Sequence, residues 1–284
     1  MNYRHDFHAG SFADVFKHAV FCRILDYLRQ KPAAFRVIDT HAGSGLYNLA
    51  GEEATRGGEW RDGIGRVMAA VFSAETAALL APYLEVIGAL NRPGELRVYP
   101  GSPALARAWL RPQDRLIACE LEPDAAFALE RHLRGDTRIK CLTIDGWTAW
   151  SAYIPPTERR GIVLVDPPFE QEGDYRRLAQ GLAAALRKWA TGIHAVWYPI
   201  KGRPEPDALA KSVRRIGGKI LRAELTVSTL ADPSRLNGSG LIVANPPWTL
   251  ERDLSVMLPE LLRVLDRDGK GAVRVDWLAG ERAA

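Results

Sequence analysis

The residues with the clearest capacity for chemistry are Asp166-Pro167-Pro168-Phe169, which directly follow the apolar run 161–165. Such a run is typical of a central strand in a parallel sheet, and ligands of these sheets bind beyond the carboxyl ends of the strands. The two prolines carry no N–H donor, so their turn offers carbonyl oxygens that only accept. A carboxylate, a bare carbonyl and an aromatic ring together suit a planar base that carries an amino group. We therefore predict that Asp166, Pro167 and Phe169 act on such a base.

A near-copy of this motif, Asn245-Pro246-Pro247-Trp248, follows a second apolar run at 240–244. The side chain of Asn245 is neutral and cannot take up a proton as a carboxylate can. We predict that the Asp166 motif carries the chemistry. The Asn245 motif is then either a structural turn or a wall of the same cleft.

A glycine-containing turn at residues 39–45, Asp-Thr-His-Ala-Gly-Ser-Gly, follows an earlier strand-like run. Its glycines would let the backbone approach a nucleotide-like ligand closely, so Gly43 is a candidate cofactor contact. Glycine turns after strands are also common without any ligand, so this motif alone leaves both interpretations open.

Two further acidic residues close the next two predicted strands. Glu120 ends the run 115–120, where a carboxylate can accept hydrogen bonds from both hydroxyls of a ribose. Asp145 follows the run 138–144, where it can accept a hydrogen bond from an adenine amino group. Taken singly, Glu120 also fits a solvated strand-end acid, and Asp145 also fits a turn beside a core tryptophan.

The order of these motifs along the chain is more informative than any one of them. A glycine turn, a ribose acid, an adenine acid and an Asp-Pro-Pro-aromatic motif at the ends of four successive strands are hard to produce by chance. The combination resembles the S-adenosylmethionine-dependent methyltransferases that modify exocyclic amines, whose motif is (Asp/Asn/Ser)-Pro-Pro-(Tyr/Phe/Trp). By that resemblance, Asp at the first position favours adenine N6 over cytosine N4 or a glutamine amide.

The resemblance narrows to the RlmJ (YhiR) family of 23S ribosomal RNA adenine-N6 methyltransferases. It rests on segments spread almost end to end, which are Tyr3–His18, Asp39-Thr-His-Ala-Gly, Tyr99-Pro-Gly-Ser-Pro, Arg235-Leu-Asn-Gly-Ser-Gly and Asn245-Pro-Pro-Trp-Thr. It implies S-adenosyl-L-methionine as the cofactor. It also implies 23S ribosomal RNA as the substrate, either protein-free or in an early assembly intermediate.

The resemblance also implies which residues form the site. Cofactor contact or catalysis is implied for His18, His41, Ser102, Glu120, Asp145, Gly146 and Asp166. Tyr3 and Lys17 would lie near the path of the substrate, and Phe169 would stack on the base. Many relatives have Tyr at the position of Phe169, but stacking needs only the ring.

Two of these implied contacts also have local physical support. Ser102-Pro103 resembles a helix N-cap followed by proline at the first helical position, and a helix N-terminus attracts anions such as the methionine carboxylate. Helical spacing predicts a helix at 11–29 with a capping-box-like start at Ser11 and Asp14. Its Asp14, Lys17 and His18 share one face, which by itself also fits a solvated polar stripe.

Periodicity places these residues on an alternating framework. Strands are predicted at 35–39, 115–120, 138–144, 161–166, 192–199, 219–228 and 240–245, and helices at 11–29, 64–72, 74–90, 124–134, 205–215 and 252–266. With the resemblance, this predicts an α/β, Rossmann-like class I methyltransferase fold, with a seven-stranded, mostly parallel sheet and a terminal antiparallel hairpin.

The framework also predicts boundaries. We expect the hairpin to turn at Asn237-Gly238-Ser239-Gly240, and the chain after Asp276 to be a short frayed tail. We expect a single methyltransferase domain over 1–284. A helical insertion subdomain at 47–112 would lie between its first and second strands.

Composition sets wider limits. A net charge of +4 and a pI of about 9.0 are compatible with a nucleic acid partner. Three widely separated cysteines show no metal-ligand spacing, so we expect no metal site and a reducing compartment. No run approaches 18 apolar residues, and the first residues lack an apolar signal-peptide core. We therefore expect a cytoplasmic monomer that does not contact a membrane.

Other functions stay open. Basic residues at 56–66 and at the N-terminus are candidates for RNA contact, although such charges usually form a solvated face. The nearest alternative is a DNA adenine-N6 methyltransferase, for which 47–112 is a small target-recognition region. A protein glutamine methyltransferase would prefer Asn at the first motif position, and a non-catalytic RNA-binding module would keep only the fold. A nicotinamide dehydrogenase is disfavoured, because no Gly-x-Gly-x-x-Gly follows the first strand.

Overall fold

The structure, a computed structural model, describes residues 7–280. Its strands are β1 (Arg36–Asp39), β2 (Leu46–Asn48), β3 (Val98–Pro100), β4 (Arg115–Glu120), β5 (Ile139–Thr143), β6 (Gly161–Val165), β7 (Ile193–Ile200), β8 (Ile220–Thr226), β9 (Gly238–Ala244) and β10 (Ala272–Ala279). Its helices are α1 (Phe12–Arg29), α2 (Glu52–Gly57), α3 (Arg66–Ala69), α4 (Ala74–Leu90), α5 (Ser102–Trp109), α6 (Pro123–Leu133), α7 (Gly146–Ala152), α8 (Asp174–Lys188), α9 (Pro204–Arg214) and α10 (Leu250–Leu265), with a π-helical turn at Arg61–Gly65.

The main sheet has the strand order β10-β8-β9-β7-β6-β1-β4-β5. The pairs from β7 through β6, β1 and β4 to β5 are parallel, whereas β9 runs antiparallel to both β7 and β8. The predicted α/β fold, with a mostly parallel sheet and an antiparallel end, is therefore confirmed. Because β1, β4, β5 and β6 are parallel, the motifs that follow them meet at one edge of the sheet.

The main sheet has eight strands in the described part of the chain, not the predicted seven. The additional strand is β10, which pairs antiparallel with β8. Its residues after Asp276 lie where we expected a frayed tail, so that prediction is wrong for 277–279. Arg222 of β8 anchors it by donating from Nε and Nη2 to the two carboxylate oxygens of Asp276, at 2.8 and 2.7 Å. The alternation of Val273, Val275 and Trp277 with polar residues was the strand signal.

The predicted hairpin turn at Asn237–Gly240 is also wrong, because Gly238 already begins β9 and pairs with Thr226. The connection between β8 and β9 is the longer segment 227–237. Asn237 closes this loop, since its side-chain amide donates to the carbonyl oxygens of Lys201 and Asp232 at 3.0 and 2.7 Å. Long-range hydrogen bonds of this kind outweigh the local turn preference of Asn-Gly.

Helices cover both faces of the sheet. One apolar core packs α1, α4, α5, α6 and α10 against one face, and a second packs α7, α8 and α9 against the other. Side chains alternate between the two cores along β6, where Leu164 packs in the first core and Val165 in the second. In the described part of the chain, no helix is long and apolar enough to cross a membrane.

The segment between β1 and β4 is mostly helical and has its own two-stranded sheet. Strands β2 and β3 pair antiparallel, and the N–H of Gly101 donates to the carbonyl oxygen of Gly45 at 2.9 Å. These bonds bring the two ends of the segment together, so α5 begins beside the glycine turn. Helix α4 packs on α1 and α10.

Candidate functional site

A cleft of about 1360 Å³ lies at the edge of the sheet where β1, β4, β5 and β6 end. The sequence-predicted site residues that line it are Lys17, His18, His41, Gly43, Ser102, Glu120, Asp145, Gly146, Asp166, Pro167 and Phe169. Tyr3, predicted near the substrate path, lies outside the described residues. Side chains that are far apart in sequence therefore meet in one cleft, because parallel strands bring the turns after them to the same edge.

The Asp166 carboxylate accepts a hydrogen bond from the ammonium group of Lys17. The same ammonium group lies 2.9 Å from a carboxylate oxygen of Asp14, and both Lys17 and Asp14 are buried. Asp14 is held in turn by the N–H of Gly10 at 3.0 Å. The polar face of α1 is thus turned into the cleft rather than solvated, and Asp14 does not form the capping box that we predicted with Ser11.

Electrostatics keep Lys17 charged. Burial by itself lowers the pKa of Lys17, but the two carboxylates of Asp14 and Asp166 outweigh it and raise the pKa above its ordinary value. Lys17 therefore stays protonated at neutral pH. It can orient and neutralise Asp166, but it cannot accept a proton from a substrate.

An aromatic group stands beside this ion pair. The turn after Asp166 brings Phe169 into the left-handed region, with φ of 53°. Its ring centroid lies 4.8 Å from that of Tyr175 and 5.7 Å from that of Trp197. The Nζ atom of Lys17 lies 5.9 Å from the centre of the Trp197 ring. The arrangement provides ring surfaces next to a carboxylate, which suits a planar base.

Gly43 and Glu120 join the glycine turn to the end of β4. The N–H of Gly43 donates to Glu120 Oε2 at 2.8 Å, and the N–H groups of Leu121 and Glu122 donate to Glu120 Oε1 at 2.8 and 2.9 Å. The carboxylate is therefore held in one orientation with acceptor capacity left. Gly43 has φ of 60°, and a Cβ atom there would lie 2.1 Å from the Tyr47 hydroxyl oxygen, so the turn requires glycine.

Asp145 caps α7, because its carboxylate accepts from the backbone N–H and the hydroxyl of Thr148, both at 3.0 Å. Gly146, the next residue, packs so tightly that a Cβ atom there would lie 2.3 Å from the Thr40 carbonyl oxygen and 2.6 Å from the His41 ring. Burial lowers the pKa of His41 to about 4, so its imidazole is neutral at neutral pH. His41 therefore adds no positive charge to the wall of the cleft at Asp145 and Gly146.

Ser102 and His18 lie deeper in the cleft. Ser102 is the first residue of α5 and Gly101 is the N-cap, so the predicted capping role of Ser102 is wrong by one position. The Nδ1 atom of His18 lies 2.7 Å from the Tyr99 hydroxyl, which lies 2.8 Å from the Tyr83 hydroxyl. All three rings are buried, so this series of hydrogen bonds fixes the orientation of the His18 imidazole.

The Asn245 motif lies at the opposite edge of the sheet. Because β9 is antiparallel to β7, its last residue Ala244 pairs with His194 near the start of β7. The Asn245 side chain donates to the carbonyl oxygens of Ala190 and Gly192, both at 2.8 Å, and Trp248 is 83% exposed. None of the four residues lines the cleft, so the predicted wall is wrong and the structural turn is supported.

Sequence reasoning missed three contributors to the cleft region. Asp14 was placed on the same face of α1 as Lys17, but its buried ion pair with Lys17 in the cleft was not predicted. Trp197 lies in β7, where an aromatic residue gives no local signal of a site. Arg177 of α8 stacks its guanidinium 4.4 Å from the centre of the Trp147 ring, a contact between elements distant in sequence.

Comparison with known proteins agrees with this geometry. The family described as ribosomal RNA large subunit methyltransferase D, RlmJ, matches residues 32–279. Ribosomal RNA large subunit methyltransferase J of Escherichia coli K12 is 40% identical over 282 residues, covering 99% of this chain and 100% of that protein. The protein of the same name from Haemophilus influenzae is 38% identical over 283 residues, with the same coverage.

A solved structure extends the likeness to three dimensions. Protein LPL1258 of Legionella pneumophila superposes with a TM-score of 0.86 at 31% identity, covering 95% of this chain and 98% of that one. The likeness therefore spans both the parallel sheet and the inserted segment. Since family, sequence and fold agree over nearly the whole chain, this protein belongs to the RlmJ family of ribosomal RNA large subunit methyltransferases.

Proposed function

We propose that this protein transfers a methyl group from S-adenosyl-L-methionine to the exocyclic N6 of an adenine in 23S ribosomal RNA. Its family is one of methyltransferase enzymes. The observation that carries the proposal is the Asp166 carboxylate, which stands beside Phe169 and Trp197 in the same cleft as the glycine turn, Glu120 and Asp145. The end of the cleft at Glu120 and Asp145 suits the nucleoside of the cofactor, and the end at Asp166 and Phe169 suits the planar base of the substrate.

The cleft residues fit the cofactor. Gly43 in the glycine turn and Gly146 at the start of α7 both lack room for a side chain, because a Cβ atom at either position would collide with neighbouring residues of the cleft wall. We assign Glu120 to the ribose hydroxyls and Asp145 to the adenine amino group, because both carboxylates keep acceptor capacity after their backbone contacts. His18, His41, Gly43, Ser102 and Gly146 line the rest of this part. When bound, S-adenosylmethionine supplies an activated methyl group.

Asp166 and Pro167 act on the target amine. The N6 lone pair of adenine is delocalised into the ring, so the amine is a poor nucleophile. Hydrogen bonds from its N–H groups to the Asp166 carboxylate and the Pro167 carbonyl oxygen would make the lone pair more available and fix its direction. Asp166 would then accept the departing proton, because Lys17 already holds its own. Phe169 would stack on the base after it leaves its loop or helix.

Substitution of Asp166 tests the proposal. We expect Asp166→Asn to lower kcat for methylation of 23S ribosomal RNA by about 10²- to 10⁴-fold, the usual contribution of a proton-accepting group. Incorporation of labelled methyl groups measures the rate. Near wild-type activity of Asp166→Asn would refute the role of this carboxylate.

The chain offers a matched control in its own second motif. Asn245→Ala removes the equivalent side chain at the opposite edge of the sheet, outside the cleft. We expect it to retain methyl transfer once its melting temperature shows that it is folded. Activity that survived loss of Asp166 but not of Asn245 would reverse the assignment.

The aromatic role has its own pair of variants. Phe169→Tyr keeps the ring and should keep most of the activity, whereas Phe169→Ala removes the stacking surface. Base–aromatic stacking contributes about 1–3 kcal/mol per base, so we expect KM for the RNA to rise by about 5- to 150-fold in the alanine variant. Equal KM values for the two variants would contradict stacking.

Mass mapping of methylated nucleosides in 23S ribosomal RNA, from cells with and without the protein, tests the substrate. Labelled methyl incorporation into duplex DNA, compared with protein-free ribosomal RNA, tests the DNA methyltransferase alternative. Failure to bind S-adenosylmethionine in calorimetry would instead favour a non-catalytic RNA-binding module. A glutamine methyltransferase loses its support, because the Asn motif that would serve it lies outside the cleft.

The proposal also covers the place of action, the oligomeric state and the domain organisation. We propose that the enzyme acts in the cytoplasm as a monomer, on RNA that is protein-free or in an early assembly intermediate. We also propose that residues 1–284 form one methyltransferase domain with 47–112 as a subdomain. Residues of the portion 55–66 line the cleft, which supports contact of this portion with RNA. We further propose that Lys17 and Tyr3 lie near the path of the substrate.

A further inference from the structure

Three arginines from separate parts of the chain line the same cleft as Asp166. Arg66 begins α3, Arg235 lies in the loop between β8 and β9, and Arg267 follows α10. All three side chains are exposed. We call Arg66, Arg235 and Arg267 the arginine cluster.

The cluster brings like charges together. Partial desolvation of the Arg267 guanidinium, which packs on Phe12, and the positive charges of Arg235 and Arg66 lower the pKa of Arg267, while Glu59 and Asp62 act in the opposite direction. Arg66 has an ion pair of 2.5 Å with Asp62. Within residues 7–280, Arg235 and Arg267 have no carboxylate within 4.0 Å. The guanidinium groups of Arg235 and Arg267 are therefore available to bind an anion.

Packing gives part of the cluster a defined position. The guanidinium carbon of Arg267 lies 4.9 Å from the centre of the Phe12 ring, and Phe12 is buried at the start of α1. The backbone N–H of Arg267 donates to the carbonyl oxygen of Val227 at 2.8 Å. Arg267 is therefore oriented before any ligand arrives, which lowers the entropy cost of binding.

We propose that Arg235 and Arg267, with Arg66, bind the phosphodiester backbone of the RNA beside the target adenine. Guanidinium groups match phosphate oxygens in a two-pronged geometry, and unpaired positive charges that repel one another are stabilised by a shared anion. The inference rests on the proposed function, since it assumes that the ligand entering the cleft is RNA.

The distance along α1 between Phe12, which lies under Arg267, and Lys17, which contacts Asp166, fits a role of the arginine cluster in binding RNA near the target base. Phe12, under Arg267, precedes Lys17 by five residues, which is about 7.5 Å along the helix axis at 1.5 Å per residue. Lys17 contacts Asp166. The cluster is therefore within a few nucleotides of the base at Asp166. It would hold the strand on one side while the base turns into the cleft.

Salt dependence of RNA binding tests the cluster. A fluorescently labelled single-stranded RNA that contains one adenine is titrated with enzyme between about 50 and 200 mM salt, and anisotropy gives Kd. We expect the double variant Arg235→Gln/Arg267→Gln to reduce the slope of log Kd against log salt by about 1.4, because each phosphate contact to a single strand contributes about 0.7. Its affinity for S-adenosylmethionine should stay unchanged, because neither arginine is among the residues that we assign to the cofactor.

Two further variants separate charge from packing. Arg235→Lys/Arg267→Lys keeps both positive charges and should retain the wild-type slope with a modest loss of affinity. Arg214→Gln removes an exposed arginine of α9 that does not line the cleft, and should behave as wild type. If the double glutamine variant fails to fold, Arg235→Gln alone, on an exposed loop, should lower the slope by about 0.7.

Two results would overturn the inference. The first is a wild-type slope in the folded glutamine variant, and the second is an equal loss in the lysine and glutamine variants. Failure of the proposed function is distinguishable from either, because it would appear as absent methyl transfer by the wild-type enzyme. The anisotropy measurements report on the cluster even then.

Discussion

Gly146 shows how a single residue shapes the cofactor end of the cleft. A Cβ atom there would lie 2.3 Å from the Thr40 carbonyl oxygen and 2.6 Å from the His41 ring, so either wall would have to move. Overpacking of this kind costs about 1–3 kcal/mol. We therefore expect Gly146→Ala to weaken binding of S-adenosylmethionine by about 5- to 150-fold, as measured by calorimetry.

Gly88 provides the matched control for this substitution. It is exposed in α4, and a Cβ atom there would meet no other atom within 4 Å. Gly88→Ala should leave cofactor affinity unchanged and stabilise the protein by up to about 1 kcal/mol through helix propensity. If the two alanine variants bound the cofactor equally well, Gly146 would not shape the cofactor site.

At the scale of single residues, residue types predicted much of the site. The Asp166 motif, Glu120, Asp145 and the glycine turn could be selected from sequence because each follows an apolar run. The partners of Asp166 could not be selected from the sequence. Asp14 and Lys17 resemble a solvated helix face until the packing of α1 buries them against the end of β6. Burial depends on what covers a helix, and sequence spacing alone does not specify it.

At the scale of elements, an ion pair between Arg222 and Asp276 adds to the backbone pairing that joins β10 to β8. Arg222 is 2% exposed and contacts both carboxylate oxygens of Asp276, and its other acidic neighbour, Glu224, lies 3.8 Å away. Removing Asp276 leaves a buried guanidinium poorly paired. We expect Asp276→Ala to lower the free energy of unfolding by about 2–3 kcal/mol, less than for a fully buried pair because Asp276 is one-third exposed.

Urea denaturation measures this loss, with Asp207→Ala as the comparison. Asp207 pairs with Arg203 at 2.6 Å but is 55% exposed, so its removal should cost less than about 1 kcal/mol. Similar losses for the two variants would mean that burial of Arg222 does not strengthen the contact with Asp276.

Elements were predictable where local periodicity and tertiary environment agree. The bounds of β4 match the predicted run 115–120, because that strand is apolar and buried on both faces. Strand β10 and the start of β9 were misjudged for the opposite reason. Their assignment depends on pairing with β8, which lies about 50 and 10 residues away in sequence.

At the scale of the whole molecule, Asp39 makes stability depend on pH. Burial raises the pKa of Asp39 from 3.8 to about 7. Below about pH 4 the carboxyl is protonated in both folded and unfolded chains. Between about pH 4 and 7 only the unfolded chain releases the proton, so the native state loses stability as the pH rises, and above about pH 7 the loss is complete.

Asp39→Asn removes this titration. We expect the variant to gain stability relative to the wild-type protein as the pH rises from about 5 to 8. The full effect between about pH 4 and 7 is at most about 4 kcal/mol, at about 1.4 kcal/mol per pKa unit. Urea denaturation of both proteins at each pH gives the difference. A difference that stayed constant with pH would show that Asp39 does not titrate in this range.

The amino-acid sequence by itself determined the alternation of strands and helices, the order of the acidic and glycine motifs and the family resemblance. These depend on apolar periodicity and on short motifs, which are local properties of the chain. Local order is also enough to bring motifs to one edge when their strands are parallel, so the cleft at Asp166, Glu120 and Asp145 followed from sequence.

Only the tertiary structure decided whether the Asn245 motif is a structural turn or a wall of the cleft. Strand direction sets which edge a motif occupies, and β9 runs against β6 and β7, so Asn245 lies far from the cleft. The tertiary structure also brought together Asp14, Lys17 and Asp166, and the three arginines of the cluster. Such contacts join segments that are distant in the chain, and their geometry is set by packing of the whole sheet and its helices.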